Sequence, residues 1–245
     1  MTLQDERRIE WNASDLEVTW AKKAAEAVAD LLLDELRKVN GKVRFLVSGG
    51  STPAPIYRQL AQTDLDWSRV VVGLVDDRDV PAEDKGSNAR AIREQLLQGH
   101  AIAAEFQPLR ETAATLQAAV VVANQRWRDA VDQPIAAALL GMGDDGHTAS
   151  LFPGASNLDA ALSANQPYVH LDATGCEEAG DFTQRLSLTP LGLAQSSQRI
   201  LLIRGARKRE TLISALSDGP VSEMPIRLAW QMPLAPLHVH WCAEE

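Results

Sequence analysis

The sequence has little of what marks secreted, membrane or zinc-binding proteins. Only two of its 245 residues are cysteines, Cys176 and Cys242, and they do not form a C-x-x-C pair. We expect two reduced thiols in a cytoplasmic protein, because disulfide frameworks need more cysteines and an oxidising compartment. No run of about 18 apolar residues occurs, and the charged first segment, MTLQDERRIEW, lacks the apolar stretch of a secretory signal. The sequence therefore predicts neither a membrane span nor a signal peptide.

An excess of positive charge is also missing. The chain has 24 Lys and Arg residues against 33 Asp and Glu residues, a formal net charge of -9. This balance disfavours non-specific binding to nucleic acid or to an anionic membrane, since both are negatively charged. It remains compatible with a small anionic ligand, because one pocket can be positive on an acidic protein.

What the chain does contain is an alternation of apolar and amphipathic segments. Apolar segments that predict strands lie at 42–47, 69–75, 134–140, 167–171, 185–188, 199–205 and 237–241. Segments with helical spacing lie at 14–39, after 48–53, at 87–97, from Leu116 to Val131, and after 199–205. The alternation predicts an α/β fold with a mostly parallel sheet and helices on both faces. Without an internal repeat or linker, one domain over 1–245 is the simplest interpretation.

Three hydroxyl side chains are predicted to cap helices. Ser14 and Glu17 have the spacing of a capping box. Thr52 precedes Pro53, which suits the first turn of a helix. Ser87 comes directly before the helical segment 87–97 that it would begin.

Glycine, hydroxyl and charged residues follow four of the predicted strands. SGGST follows the first at 48–52, and DDR follows the second at 76–78. GMGDDGHTAS occupies 141–150 after the third strand. Arg204, Gly205 and Lys208 follow the apolar part of the fourth, 199–203. In open parallel sheets, ligands bind beyond the carboxyl ends of the strands. Four such groups at one edge predict a ligand site there.

Two of these groups have the chemistry of an anion site. Gly49 and Gly50 allow backbone N–H groups to approach a phosphate, and the positive end of the next helix would face it. A tight turn is the alternative interpretation. Arg207 and Lys208 fall in the first turn of a predicted helix, where a cation opposes the helix dipole and often meets an anion. A solvated charged face is the alternative for them.

The loop 141–150 carries the strongest signal. Gly141, Gly143 and Gly146 permit positive φ and close backbone approach. Asp145 is two residues from His147 and could orient its imidazole as a general base. The alternative, compatible with this, is that Asp145 caps a helix with His147 in its first turn. Because the sequence has no G-x-S-x-G elbow and no Cys beside a His, it favours attack by water over a covalent nucleophile.

Other polar residues carry weaker signals. Arg185 opens a strand and is compatible with a place in the same cavity or on the surface. His238 and His240 share one face of the last strand, but no third ligand is evident near them, so no metal site is predicted. The polar stretch 172–183 is interpreted as a surface loop. His100 and His170 have no motif around them.

Five segments resemble the 6-phosphogluconolactonase family, in the order found there. They are SGGSTP at 48–53, VDDRDVPAEDKGSN at 75–88, LLGMGDDGHTASLFPG at 139–154, RLSLT at 185–189 and GARK at 205–208. The resemblance implies a Rossmann-like fold, shared with glucosamine-6-phosphate deaminases and ribose-5-phosphate isomerases. It also implies no metal, no organic cofactor, and a small-molecule sugar-phosphate lactone as the partner.

The activity implied is hydrolysis of 6-phospho-D-glucono-1,5-lactone to 6-phosphogluconate in the oxidative pentose phosphate pathway. His147 would deprotonate the water that attacks the C1 carbonyl and then protonate the departing ring oxygen, while Asp145 orients it. Either backbone N–H groups of the glycine-rich loop or Arg78 would stabilise the oxyanion. The residues expected to bind the substrate and its phosphate are Ser48, Gly49, Gly50, Ser51, Thr52, Asp76, Arg78, Asn88, Arg185 and Lys208.

Two positions separate this chain from related patterns. The lactonase family usually has Glu where this chain has Asp77, which puts a direct role for that position in doubt. Deaminases of the same fold are the close alternative, and their loop ends in a Glu used for ring opening, where this chain has Phe152. A phenyl ring cannot carry a proton. A sugar-phosphate-sensing regulator is a further alternative, but it would need a DNA-binding module for which the acidic chain leaves no segment.

Overall fold

The strands and helices are described from a computed structural model that covers residues 9–110, 115–231 and 236–244. The strands are β1 (Ile9–Ser14), β2 (Val43–Val47), β3 (Val70–Leu74), β4 (Asp76–Arg78), β5 (Glu105–Gln107), β6 (Ile135–Leu140), β7 (Tyr168–Asp172), β8 (Gln184–Leu188), β9 (Ser196–Arg204) and β10 (Leu237–Cys242). The α-helices are α1 (Glu17–Lys38), α2 (Ala54–Leu60), α3 (Asn88–Gln95), α4 (Leu116–Asp129), α5 (Leu158–Leu162), α6 (Pro190–Leu193), α7 (Gly205–Ala215) and α8 (Leu228–Gln231).

A parallel sheet forms the centre of the molecule. Within the described residues it has seven strands in the order β1-β10-β9-β6-β2-β3-β5, and every pair is parallel. Every residue of β2, β3 and β6 is buried, which explains why these strands appear in the sequence as continuous apolar runs rather than as alternating patterns. The predicted α/β class, with a mostly parallel sheet and helices on both faces, is confirmed.

Two of the predicted strands, at 167–171 and 185–188, belong to a different sheet. They form β7 and β8, which pair antiparallel with each other, and β8 pairs antiparallel with the short β4. The two sheets are joined at Val75, whose N–H donates to Val47 in β2 and whose carbonyl accepts from Leu188 in β8. The chain therefore leaves the parallel sheet directly after β3, and its polar DDR segment becomes a strand rather than a loop.

The start of α1 corrects a prediction. Ser14 does not form a capping box with Glu17, because it is the last residue of β1, where it pairs with Cys242. The helix begins at Glu17, and a carboxylate oxygen of Glu244 accepts the Glu17 N–H at 2.8 Å instead. β1 itself was not predicted, since most of its residues are exposed at the edge of the sheet and show no apolar pattern.

The other predicted helix starts have different outcomes. Ser87 caps α3 as expected, with its Oγ accepting the Arg90 N–H at 3.3 Å. Thr52 does not cap α2, because Pro53 occupies the cap position and makes no side-chain capping bond. Val131 was assigned to the buried face of α4, but that helix ends at Asp129 and Val131 is 76% exposed.

The amphipathic pattern predicted for α1 is only partly confirmed. Of the apolar residues Leu16, Trp20, Ala24, Ala27 and Leu31, Trp20 and Ala24 are fully buried, Ala27 and Leu31 are half-buried, and Leu16 precedes the helix and is 62% exposed. The fully buried face is instead formed by Trp20, Ala24, Val28 and Leu32. Their spacing places them on one helix face, while the charged residues between them remain exposed. Across the described ranges, no helix combines the length and the apolar character that a membrane crossing requires.

The strand order determines where the polar loops meet. β9, β6, β2 and β3 are consecutive neighbours in the parallel sheet, so their carboxyl ends lie side by side. These are the four strands that the polar and glycine-rich segments follow in the sequence. The topology thus brings four distant segments of the chain to one edge.

Candidate active site

An open cleft of about 240 Å³ lies at this edge of the sheet. The residues predicted from sequence that line it are Ser48, Gly49, Gly50, Thr52, Asp76, Arg78, Asn88, His147, Arg185 and Lys208. Asp145 contacts the lining through His147, and Ser51 is exposed and lies outside the lining. Arg204, named from the sequence as part of the fourth polar group, also lines the cleft. Sequence reasoning assigned no site role to three further lining side chains, those of Tyr57, Phe152 and Glu178.

His147 and Asp145 form a hydrogen-bonded pair at the cleft. Nδ1 of His147 lies 2.7 Å from Oδ1 of Asp145, and the backbone N–H of His147 donates to the same oxygen at 3.0 Å. Burial raises the pKa of Asp145, but the hydrogen bonds and charge of His147 lower it more, so the net pKa is below its ordinary value. An ionised Asp145 that accepts the Nδ1 proton leaves Nε2 as the atom able to take a proton.

The loop that carries this pair is not a helix start. Among the described residues, the next helix after His147 is α5, which begins at Leu158. The loop is held by its own bonds instead: Gly143 N–H donates to the His147 carbonyl at 2.9 Å, and Thr148 Oγ1 donates to the Gly141 carbonyl at 2.8 Å. The helix-cap alternative is therefore wrong, and the orienting contact between Asp145 and His147 is present.

The glycines of this loop serve different purposes. The expectation of positive φ holds for Gly146, at 80°, but Gly141 and Gly143 do not have positive φ. Gly143 is required for space. A Cβ at that position would lie 2.1 Å from Nδ1 of His147 and 2.4 Å from Oδ1 of Asp145. Only a residue without a side chain lets the pair form where it does.

Replacing Gly143 by alanine should therefore damage the site without unfolding the protein. The new methyl group must displace the imidazole or the carboxylate, and a misplacement of about 1 Å can cost as much as 10²-fold in turnover. We expect kcat of the Gly143→Ala variant to fall at least about tenfold, with the melting temperature little changed. Gly41→Ala is the matched control, because nothing lies within 4 Å of a Cβ there and Gly41 lies outside the cleft lining. Equal activity of both variants would show that the pair tolerates displacement.

Phe152 forms a wall of the cleft beside the imidazole. The ring centroids of Phe152 and His147 are 4.2 Å apart with an interplanar angle of 39°, and Phe152 is 1% exposed. The guanidinium carbon of Arg185 lies 5.3 Å from the same phenyl ring. Phe152 therefore restricts the imidazole from one side while Asp145 holds its Nδ1 atom.

Two arginines oppose each other across the short antiparallel sheet. Arg78 in β4 and Arg185 in β8 are register partners, and both line the cleft. Burial lowers the pKa of Arg185 to about 10, with Asp76 raising it and Arg78 lowering it further, so the group stays charged at neutral pH. Within the described part of the chain, neither arginine has a carboxylate at ion-pair distance, and Nε of Arg78 is buried without a hydrogen-bond partner. Two arginines on one wall without a direct ion-pair partner favour an anionic ligand.

Lys208 adds a further cation to the cleft. It lies in the first turn of α7, as predicted, and its Nζ is 2.8 Å from Oδ1 of Asp144. The neighbouring Arg207 also pairs with Asp144 but is 75% exposed and does not line the cleft. The surface alternative considered for both residues therefore applies to Arg207, whereas Lys208 faces the candidate site.

The glycine-rich segment after β2 packs closely against α3. A Cβ on Gly49 would lie 2.0 Å from Oδ1 of Asn88, and Gly50 has a φ of 93°, so neither position suits a larger residue. Ser48 Oγ donates to the Leu139 carbonyl at 2.8 Å, which joins this turn to β6. Asn88 donates to the Asp76 carbonyl at 2.9 Å. These contacts present the backbone of Gly49 and Gly50 to the cleft.

The two adjacent aspartates of β4 have different surroundings. Asp76 lines the cleft and accepts a hydrogen bond from Ser150 Oγ at 2.5 Å. Asp77 is 1% exposed and accepts backbone N–H groups of Arg78, Asn88 and Ala89, at 2.8, 2.7 and 3.3 Å. Burial raises the pKa of Asp77 to about 6, although these backbone bonds lower it. Asp77 therefore holds the start of α3 and does not face the cleft.

The histidines of β10 are engaged in the fold. His238 Nδ1 lies 3.0 Å from a carboxylate oxygen of Glu10, and its Nε2 lies 3.1 Å from Oε1 of Gln198. Burial, and secondarily His238, lowers the pKa of His240 to about 4. In the ranges that the structure describes, no group of three or more His, Cys, Asp or Glu side chains is arranged to hold a metal ion.

Comparison with known proteins relates this chain to one group of enzymes. Residues 17–239 match the family model described as glucosamine-6-phosphate isomerases/6-phosphogluconolactonase. A 6-phosphogluconolactonase of Xylella fastidiosa strain 9a5c is 44% identical over 243 residues, covering 99% of this chain and 100% of that protein. One of Rhizobium meliloti is 39% identical, covering 89% and 93%. The crystal structure of a 6-phosphogluconolactonase from Shewanella baltica superposes with a TM-score of 0.88 at 31% identity, covering 95% and 97% of the two chains.

Proposed function

The chain belongs to the glucosamine-6-phosphate isomerase/6-phosphogluconolactonase family, and from this premise we propose that it hydrolyses 6-phospho-D-glucono-1,5-lactone to 6-phosphogluconate. It is an enzyme of the carboxylic ester hydrolase class, since its relatives over nearly the whole chain carry the lactonase name. The observation that carries the proposal is the His147–Asp145 pair at a cleft lined by four cationic side chains, those of Arg78, Arg185, Arg204 and Lys208.

We propose His147 as the general base. With Nδ1 bonded to Asp145, Nε2 accepts a proton from a water molecule as that water attacks C1 of the lactone. The C1–O5 bond of the ring breaks in the second step, and His147 returns the proton to the departing ring oxygen. Asp145 stabilises the transient imidazolium of His147 through its negative charge and keeps the imidazole oriented. Water supplies the oxygen that remains on C1, so no covalent enzyme intermediate is required.

The phosphate and the oxyanion need separate groups. Lys208 and Arg185, with the backbone of Gly49 and Gly50 and the neighbouring residues Ser48, Ser51 and Thr52, are proposed to bind the phosphate. Arg78 or backbone N–H groups of the glycine-rich loop are proposed to stabilise the oxyanion that forms at C1. Asp76 and Asn88 are proposed to complete the binding site. Asn88 donates to the carbonyl of Asp76 in β4, and the carboxylate of Asp76 accepts from Ser150. The position of Arg78 in the cleft lining supports a ligand-binding role for that side chain.

The most direct test is hydrolysis of the phosphorylated lactone above its spontaneous rate. We expect the purified protein to accelerate this reaction without added metal, and EDTA to leave the rate unchanged, because the proposed chemistry uses only protein groups. Acid release should be followed at constant pH with a protein-free control. A rate equal to that control would contradict the proposal, and ammonia release from glucosamine-6-phosphate would favour the deaminase alternative.

Several wider properties are proposals that rest on the sequence and on its family resemblance. We propose that residues 1–245 form one domain that acts in the cytoplasm in the oxidative pentose phosphate pathway, without an organic cofactor. The net charge of -9 supports a lack of binding to nucleic acid and anionic membranes. The proposed partner is therefore the small sugar-phosphate lactone alone.

A further inference from the structure

Asp144 contacts two cations of α7, of which only one faces the cleft. Its Oδ1 lies 2.8 Å from Nζ of Lys208, and its Oδ2 lies 2.9 Å from Nε of Arg207. Lys208 is part of the cleft lining, whereas Asp144 and Arg207 are not. The carboxylate therefore holds Lys208 from a position outside the cleft. The proposed reaction assigns no role to Asp144.

The carboxylate is itself fixed in place. Asp144 directly precedes Asp145 in the loop, and its backbone carbonyl accepts a hydrogen bond from Thr211 Oγ1 of α7 at 3.3 Å. Two separate contacts, one through the backbone and one through the side chain, thus join the loop of His147 to the helix of Lys208. The side chain of Asp144 is 22% exposed, so the ion pair is partly shielded from solvent.

A lysine held in this way is prepared for an anion. Its ammonium group is a point charge on a flexible four-carbon stem, and ordering that stem on binding would weaken the affinity roughly 5- to 30-fold. An acceptor that orders the stem beforehand removes this cost. The ammonium has three donors, so a bond to Asp144 leaves the other donors available to a ligand.

We propose that Asp144 is a positioning residue for Lys208, which its Oδ1 atom holds at the cleft before the substrate phosphate binds. This inference rests on the proposed function, because it assumes that Lys208 contacts the phosphate. It assigns to Asp144 an effect on substrate affinity and none on the chemical step. The same carboxylate also carries a negative charge that repels the phosphate, so an experiment must separate position from charge.

Two substitutions of Asp144 separate these effects. Asp144→Asn and Asp144→Ala both remove the negative charge, but only asparagine keeps an oxygen able to accept from Lys208. We expect KM for 6-phosphogluconolactone to be roughly 5- to 30-fold higher in Asp144→Ala than in Asp144→Asn, with kcat equal within about twofold. Product affinity, measured by titration calorimetry with 6-phosphogluconate, should differ by the same factor.

Two controls complete the experiment. Unphosphorylated D-glucono-1,5-lactone should be hydrolysed with equal kcat/KM by both Asp144 variants, because it has no phosphate for Lys208 to bind. Arg207→Ala should keep the wild-type KM, since Lys208 retains its bond to Asp144. Circular dichroism and thermal melting of each variant will confirm that the loop change leaves the fold intact.

Equal KM values of Asp144→Asn and Asp144→Ala on the phosphorylated lactone would overturn the inference. A difference of the same size on the unphosphorylated lactone would also overturn it, because it would indicate a general disturbance of the His147 loop. Failure of the underlying proposal has a separate signature: the wild-type enzyme would then show no preference for the phosphorylated lactone. In that case Lys208 does not bind a phosphate, and the inference about Asp144 is wrong as well.

Discussion

Replacement of His147 by alanine should lower kcat for lactone hydrolysis about 10²- to 10⁴-fold, the usual contribution of a general base. The imidazole is the only histidine ring that lines the cleft among the described residues, and Asp145 holds its Nδ1 atom at 2.7 Å. The side chain of Asp145 is 27% exposed and that of His147 is 19% exposed, so the pair is partly shielded from solvent. The effect should appear in initial rates measured at saturating lactone and corrected for spontaneous hydrolysis.

The control for this prediction is a histidine outside the site. His100 is exposed and lies outside the cleft lining, so His100→Ala should retain the wild-type rate. The His147→Ala variant should still bind 6-phosphogluconate with an affinity close to that of the wild type, because the cations of the cleft remain. Near-normal turnover of a folded His147→Ala protein would show that His147 only maintains the loop, and that another group activates the water.

Replacement of Lys208 by alanine should raise KM for the phosphorylated lactone more than it lowers kcat. The phosphate carries about -1.5 to -2 charges at pH 7, and the protein carries a net charge of -9, so local cations must provide the attraction. A charge-assisted hydrogen bond contributes about 1.5–3 kcal/mol, which corresponds to roughly 10- to 150-fold in affinity. The substitution also leaves Asp144 without its partner at the cleft, which adds repulsion.

The comparison that decides this prediction uses two substrates. Lys208→Ala should lose much less activity on D-glucono-1,5-lactone, which has no phosphate, than on the phosphorylated lactone. Arg207→Ala is the matched control, because it removes a cation next in sequence that lies outside the cleft. If Lys208→Ala is equally impaired on both lactones, Lys208 acts at the reacting carbonyl or in the scaffold instead of at the phosphate.

Strands that are buried on both faces could be predicted from the sequence, because each forms a continuous apolar run. The strands β2, β3, β6 and β9 were predicted from continuous apolar runs, because a strand of a parallel sheet is covered by helices on both faces. The exposed edge strand β1 had no such run and was not predicted. Ser14 was misassigned because its pairing with Cys242 in β10 outweighed a local capping pattern.

The candidate residues were identified by chemical type and by their place after the strands. Asp145, His147 and Lys208 were each predicted, and the structure brings them to one cleft or to its immediate support. The sequence did not show why a glycine is required at a particular position. Gly143 is needed because its missing Cβ leaves room for the His147 ring, a condition that depends on where that ring packs.

The sequence by itself determined the α/β class, most strands of the parallel sheet and the candidate pair His147 and Asp145, since these depend on burial periodicity and on neighbours in the chain. Only the tertiary structure decided which distant groups face each other. It paired Arg78 with Arg185 across two antiparallel strands and joined Asp144 to Lys208. The physical reason is that such contacts depend on strand pairing and helix packing between segments far apart in the chain, and no local pattern records them.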